Sequence, residues 1–284
     1  MSTFHHVGAT ATDIACFAVG RRQVVRAARF VLRRASLDVR NDMRTNGEER
    51  LQRWLLDLFP RGRKMHVLDV GANVGQWSTS MLAAARQVGR AEDLDLHAFE
   101  PSSYTFARLS RALANQRVSL QQCALSERSG SSILHVVGPG AGTNSLHAPQ
   151  DRQNNTTTED VATTTLQEYA DRAGLDDIAL VKIDAEGHDL AVLRGAGRLL
   201  AEQRIRVAQF EYNYRWVGAR SFLCDAFDLL DPAGYRLGKL TPRGVEFYPA
   251  WDADLETFVE GNYVAAIPMV AAQLPAIAWW KHSS

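Results

Sequence analysis

The sequence predicts an α/β fold with a mostly parallel sheet, and three observations predict it. The stretch Met65-His-Val-Leu-Asp-Val-Gly-Ala-Asn-Val-Gly-Gln-Trp77 reads as a buried strand, a glycine turn and a helix start. Apolar strands then keep alternating with helical periods, and three of them end in a carboxylate: Glu100, Asp184 and Glu211. Finally, Ile178-Ala-Leu-Val-Lys-Ile183 is apolar enough to be a strand covered on both faces.

A length of 284 residues suits one large core with an appendage. The predicted division is a helical extension over 1–63, a core over 64–270 and a tail over 271–284. Lys plus Arg and Asp plus Glu are both 32, so the overall charge points to neither nucleic acid nor a polyanionic surface. Cys16, Cys123 and Cys224 are odd in number and far apart. They form no metal knuckle or disulfide framework, which suits a cytoplasmic location.

Residues 1–13 are polar and small, and are expected to be poorly ordered. Over 14–37 one helix interleaves Val24, Val25, Ala28, Phe30, Val31 and Leu32 with six arginines. Its uncharged runs fall far short of the ~20 residues of a membrane span, and its arginines follow the apolar patch, unlike a signal peptide. Three readings stand: a stripe packed on the core or on a homodimer partner, a lid over an anionic substrate, or a helix lying on a membrane surface. A second helix over 51–59 ends at Pro60-Arg-Gly62.

The turn after the first strand decides the ligand class. A dinucleotide fingerprint needs glycine where Asn73 and Gln76 stand. Asp69-x-Gly71-x-Asn73-x-Gly75 fits a cationic ligand without a pyrophosphate, because its carboxylate attracts an amine or sulfonium. Glu100, ending the second strand, is placed to hold both hydroxyls of a ribose. Ser102 then caps a helix running to about residue 115, and 118–124 is the third strand, with Cys123 as a small pocket or core residue. Apart from a strand over 133–137, residues 130–164 read as a long loop carrying Gly138 to Gly142 and a polar run from 150 to 160. Thr165 starts a helix that Gly174 ends. Buried Lys182 calls for a carboxylate partner. A fifth strand over 205–211, a helix over 221–230, a hairpin over 235–248 and a strand over 262–267 complete the core. The tail either folds back or meets a second subunit.

These residues resemble class I S-adenosylmethionine-dependent methyltransferases, and within them the FkbM family of O-methyltransferases. The resemblance rests on Asp69-Val-Gly-Ala-Asn-Val-Gly75, Phe99-Glu-Pro101, Cys123-Ala-Leu-Ser126, Val181-Lys-Ile-Asp-Ala-Glu-Gly-His-Asp189 and Val192-Leu-Arg-Gly-Ala196, in the family's order. It implies a Rossmann-like, mostly parallel seven-stranded sheet with helices on both faces. It also implies S-adenosyl-L-methionine as cofactor, lined by Asp69, Gly71, Ala72, Asn73, Gly75, Glu100, Pro101, Ser102, Cys123, Ala124 and Asp184. The family's Thr/Asn-Ser-Leu element is matched by Thr143-Asn-Ser-Leu146, which brings Asn144 and Ser145 to the substrate side. His147 is adjacent and reads mainly as a solvated bystander. The segment 150–160 departs from the family pattern.

Asp184, Glu186, His188 and Asp189 crowd one strand-to-helix turn. Their spacing matches no common metal motif, so no metal ligand is assigned and a need for Mg²⁺ stays open. Glu186 and Asp189 could simply complement the helix expected over 188–200. The alternative sets Asp184 beside the cofactor's methionine moiety and His188 near the acceptor as general base, with Asp184, Glu186 and Glu211 in reserve. Beyond the fifth strand, Glu211, Asn213 and Tyr214 suit a polyol surface, while Tyr212 and Trp216 equally well close the core. The resemblance implies O-methylation of a sugar, glycoside or polyketide-type small molecule in natural-product or surface-glycan biosynthesis. An N-methyltransferase and a non-catalytic cofactor-binding protein are the alternatives; no nucleic-acid partner is expected.

Overall fold

The computed structural model describes residues 2–138, 144–148 and 156–281, with side chains from residue 8 onward. The chain forms two compact units, Met1–Arg40 and Asn41–Ser284. The first is a pair of helices, α1 (Ser2–Val19) and α2 (Arg21–Ala35). The sequence predicts one helix after thirteen poorly ordered residues. Instead the helix begins at Ser2 and breaks at Gly20, whose φ of 87° is open to a residue without a Cβ.

The second unit opens with α3 (Glu48–Leu58), whose Leu51, Leu55 and Leu56 enter the main core. Residues 41–63 therefore belong to the core unit, which corrects the boundary placed at 63. Then come β1 (Met65–Val70), α4 (Gln76–Gln87), β2 (Leu94–Phe99) and α5 (Ser103–Ala112). Ser102 stands at the N-cap position of α5, yet its side chain makes no capping bond. Next are β3 (Val118–Gln121), β4 (Ala124–Leu125), β5 (Gly130–Val136) and β6 (Thr157–Thr164).

The chain continues with α6 (Leu166–Ala173) and β7 (Ile178–Ile183). As expected, Thr165 Oγ1 accepts the Glu168 amide at 3.0 Å to start α6, and left-handed Gly174 ends it. The helix expected over 188–200 is split into α7 (Asp189–Arg194) and α8 (Arg198–Ala201). At Gly195, between them, a Cβ would lie 2.0 Å from the Ser126 carbonyl oxygen, so the glycine lets residue 126 pack against the turn. The remaining elements are β8 (Val207–Tyr212), α9 (Arg215–Gly218), α10 (Leu223–Leu230), β9 (Arg236–Thr241), β10 (Gly244–Phe247), β11 (Gly261–Ala266), α11 (Pro268–Ala271) and β12 (Ala276–Ile277).

The central sheet has nine strands, two more than the predicted seven, in the order β12-β10-β9-β11-β8-β7-β1-β2-β3. From β3 to β8 neighbours run parallel; β11 and β9 then pair antiparallel with theirs. The two extra strands are β10, which pairs antiparallel with β9, and β12, which pairs with β10. With Trp279 buried, the tail is part of this sheet's core.

A second sheet, β4-β6-β5, takes up both ends of the predicted loop. Thr157-Thr-Glu-Asp-Val-Ala-Thr-Thr164 pairs antiparallel with β5 from Thr157↔Val136 to Thr163↔Gly130. Its polar threonines hid the strand, although β-branched residues favour a pleated surface. Thr143 and the stretches 139–142 and 150–155, for which the sequence carries expectations, fall outside the described residues.

The order of the parallel strands changes direction at β1, between β7 and β2. Ligands of open α/β sheets bind beyond the carboxyl ends of strands at such a point. There the turn after β1 meets the turn after β7. Gly71 has φ 74°, and a Cβ on it would lie 1.9 Å from the Asp184 carbonyl oxygen. Gly71→Ala is accordingly expected to lose roughly 3 kcal/mol through this clash and its left-handed backbone. Urea unfolding measures it, and an unchanged midpoint would contradict the close approach.

Candidate active site

The site is built from the turn after β1, the end of β2, the β3–β4 link and the turn after β7. Lys182, near the end of β7, is buried and paired with two carboxylates, Asp69 at 3.2 Å and Asp184 at 3.4 Å. Burial works against its charge, but Asp69, Asp184 and Glu48 outweigh it and raise the pKa. Asp69 also accepts a hydrogen bond from Ser78 Oγ at 2.7 Å and has no exposed surface. The cation that Asp69 holds is therefore Lys182, not a ligand.

Glu100 follows β2 directly. Its two carboxylate oxygens accept the amides of Asn73 at 3.1 Å and Ser102 at 3.0 Å, which fix the group at the cavity wall. Burial pushes its pKa up to about 7 against those two bonds. Asn73 lines the same cavity, and its side-chain oxygen is buried and without a hydrogen-bond partner. The left-handed backbone of Asn73, φ 49°, is what aims its amide at Glu100.

On the β7 side, Asp184, Ala185, Glu186 and His188 line the cavity. Asp189 does not: it is fully buried and accepts the amides of Gly187 at 3.1 Å and Glu211 at 3.3 Å, bracing the turn against β8. Burial, then Asp184, pushes its pKa up to about 7. Glu186 pairs with Arg215 at 2.8 Å. Burial and Asp184 still push it up to about 8. His188 Nε2 lies 2.9 Å from Ser126 Oγ, and its Nδ1 lies 3.1 Å from His147 Nε2. Burial, then His147, pushes the His188 pKa down to about 4.

Of the residues named from the sequence, Gly71, Asn73, Glu100, Pro101, Cys123, Ala124, Asn144, Asp184, Glu186 and His188 come together around this cavity. Ala72, Gly75 and Ser102 lie behind it. Ala72 packs with Ala98, Leu109 and Leu113, Gly75 meets Leu109, and Ser102 contributes its amide to Glu100. Ser145 braces the turn, its hydroxyl donating to the Glu186 carbonyl at 2.8 Å. Glu211 is buried, held by Asn41 at 2.7 Å and by Asn213, so neither it nor Asn213 faces the cavity. Tyr214 is exposed, with the Arg215 guanidinium over its ring. Those three substrate assignments are thus not supported by position.

Two partners of the site were not read from the sequence: Ser126 as neighbour of His188, and His147 as its second neighbour instead of a solvated bystander. Ser126 lay within a quoted motif, yet only the packing against Gly195 brings it to the histidine. Among the described residues, the metal-ligand types that gather within 4.8 Å are His66, Asp95 and His97, near the start of β1 and β2. Asp95 already has His66 Nδ1 at 2.8 Å, and His97 Nδ1 meets Tyr169 at 2.7 Å. Mg²⁺ gains no support at the cavity.

Fold and site define an α/β protein with a cavity beyond the carboxyl ends of its parallel strands. The Methyltransferase FkbM domain matches residues 69–237, more than half of the chain. The chain belongs to that family and is an S-adenosylmethionine-dependent methyltransferase. No curated protein matches it. Its fold is similar to that of precorrin-6y C5,15-methyltransferase from Geobacter metallireducens, at 13% identity over 77% of this chain and 87% of that one, with a TM-score of 0.40. Fibrillarin from Aeropyrum pernix, solved with natively bound S-adenosyl-L-methionine, matches at 10% identity, 76% and 74% coverage, and a TM-score of 0.38. Likenesses this distant carry no argument about activity.

The residues present fit the family's cofactor. A ribose diol and an ammonium offer hydrogen-bond donors, and the cavity offers the Glu100 carboxylate, the unpartnered Asn73 oxygen and half-buried Asp184 as acceptors.

These carboxyl pKa values set a pH dependence. Glu100, Glu186 and Asp189 are all raised, so the folded protein holds protons that the unfolded chain releases. Their stabilising contribution is complete below the ordinary carboxylate range and is lost as pH rises through about 7 to 8. The thermal midpoint of the ligand-free protein should fall between about pH 5 and pH 8. Glu186→Gln should flatten that fall, and a midpoint that rises over this range would contradict the assignment.

Proposed function

We propose that this methyltransferase moves the methyl group to a hydroxyl of a sugar, glycoside or polyketide-type small molecule, with His188 as general base. What supports the reading most is that the Glu100 carboxylate and the His188 imidazole open into one cavity. S-adenosylmethionine, when bound, supplies an electrophilic methyl carbon on a sulfonium. Glu100 accepts the two ribose hydroxyls, and Asn73 and Asp184 hold the amino-acid end.

His188 is neutral near pH 7 because burial depresses its pKa, so one ring nitrogen is free of a proton. A hydroxyl oxygen that attacks carbon becomes strongly acidic as the bond forms. Even a weakly basic imidazole then takes the proton. Ser126 and His147, one at each ring nitrogen, orient the imidazole. Leu134 and Leu146 contribute apolar wall to the same cavity, which helps exclude water and leaves room for an acceptor with C–H surface.

Calorimetry with S-adenosylmethionine and S-adenosylhomocysteine, followed by transfer of a labelled methyl group to a panel of hydroxylated acceptors, tests the reading. Micromolar binding, about −8 kcal/mol, is expected. His188→Ala should lower kcat by ~10²–10⁴ without changing cofactor affinity. Full activity in that variant would favour an amine acceptor, which needs no base. Glu100 must be ionised to receive two hydroxyl donors, and its pKa is about 7 without ligand. Cofactor affinity should therefore rise from about pH 6 to pH 8 with proton release to the buffer, and an affinity independent of pH would oppose this role.

A further inference from the structure

We infer that α2 is a docking helix for an anionic lipid surface. Val24, Ala28, Val31 and Ala35 recur at helical spacing and form one stripe, with Val25 and Leu32 beside it. Arg22, Arg26, Arg29 and Arg33 recur at the same spacing two residues out of step, which sets them on the opposite face. Arg21 and Arg34 stand at the two ends of the helix.

No residue of α2 is buried, and the stripe and its flank face water: Val31 is 64% exposed, Leu32 66% and Val25 41%, while Phe30, also exposed, lies off the stripe beside Arg26. Phe17, near the end of α1, is 94% exposed. Leaving this much apolar surface in water is unfavourable, so the helix lacks the medium it is patterned for.

Charge identifies that medium. Between Asp13 and Asp38 there are six arginines and no acidic residue. The whole chain is neutral, so the remainder carries −6. Positive charge is therefore concentrated on the one helix that also exposes an apolar stripe. A nucleic acid would engage the arginines and leave the stripe wet. A second copy of the chain would cover the stripe and leave the arginine face without a partner. A bilayer with acidic headgroups satisfies both, the stripe entering the acyl boundary while the arginines reach phosphates along their alkyl stems. No described helix is long and apolar enough to cross a membrane, so α2 would lie in the interface plane.

The test is cosedimentation of the full chain with phosphatidylcholine vesicles, with and without roughly a third phosphatidylglycerol. Binding is expected to the anionic vesicles only and to weaken with salt. The variants R26E/R29E/R33E and V31D/L32D should each weaken it by at least roughly tenfold, while S-adenosylmethionine binding, which belongs to the other unit, stays unchanged. Failure to sediment with anionic vesicles would overturn the inference. So would loss of binding in the charge variant with full retention in V31D/L32D, which points to a general polyanion site. A lipid-free dimer that V31D/L32D dissociates would instead assign the stripe to a second copy.

Discussion

Burial of Lys182 near the end of β7 is the constraint on which the rest of the site depends. An ammonium inside a sheet is tolerated only with counter-charges at hand, and Asp69 and Asp184 reach it from β1 and from the turn after β7. The pairing ties together the carboxyl ends of two neighbouring parallel strands. It also brings the β1 turn so close to the β7 turn that position 71 has no room for a side chain. One consequence is a division of labour among the acids. Asp69 serves the interior, whereas Asp184 and Glu100 face the cavity.

Around that ion pair the chain gathers more carboxylates than cations. Asp184, Glu186, Asp189 and Glu211 act on one another, with Lys182 and Arg215 as the near cations. Burial raises the pKa of Glu186, Asp189 and Glu211, and backbone amides carry part of the load at Asp189. Groups displaced this far from their ordinary titration range mark functional sites more often than plain structural ones. Here the displaced groups divide into a bracing set behind the turn, Asp189 and Glu211, and a facing set, Glu100, Glu186 and His188.

Much of this was legible in the sequence because strand ends and glycine turns are local signals. The carboxylates at 100 and 184, the glycine at 71 and the need of Lys182 for a partner all follow from neighbours within a few residues. What was missed depends on distant contacts. The strand β6 hid in a threonine-rich polar run because its pairing partner lies more than twenty residues earlier. Ser126 reaches His188 only through the gap left by Gly195. Tyr214 read as a platform for a polyol, yet the chain turns it outward. Asp69 read as a ligand carboxylate, because its buried counter-ion sits more than a hundred residues away in sequence.

The central claim is that Glu100 holds the cofactor's diol, and a comparison of S-adenosylhomocysteine with its 2′,3′-dideoxy analogue on the parent and on Glu100→Ala tests it most directly. The account predicts that the parent prefers the diol by at least about tenfold, roughly 1.4 kcal/mol, and that the preference disappears in the variant. An equal preference in both proteins would show that the hydroxyls are recognised elsewhere and would contradict it.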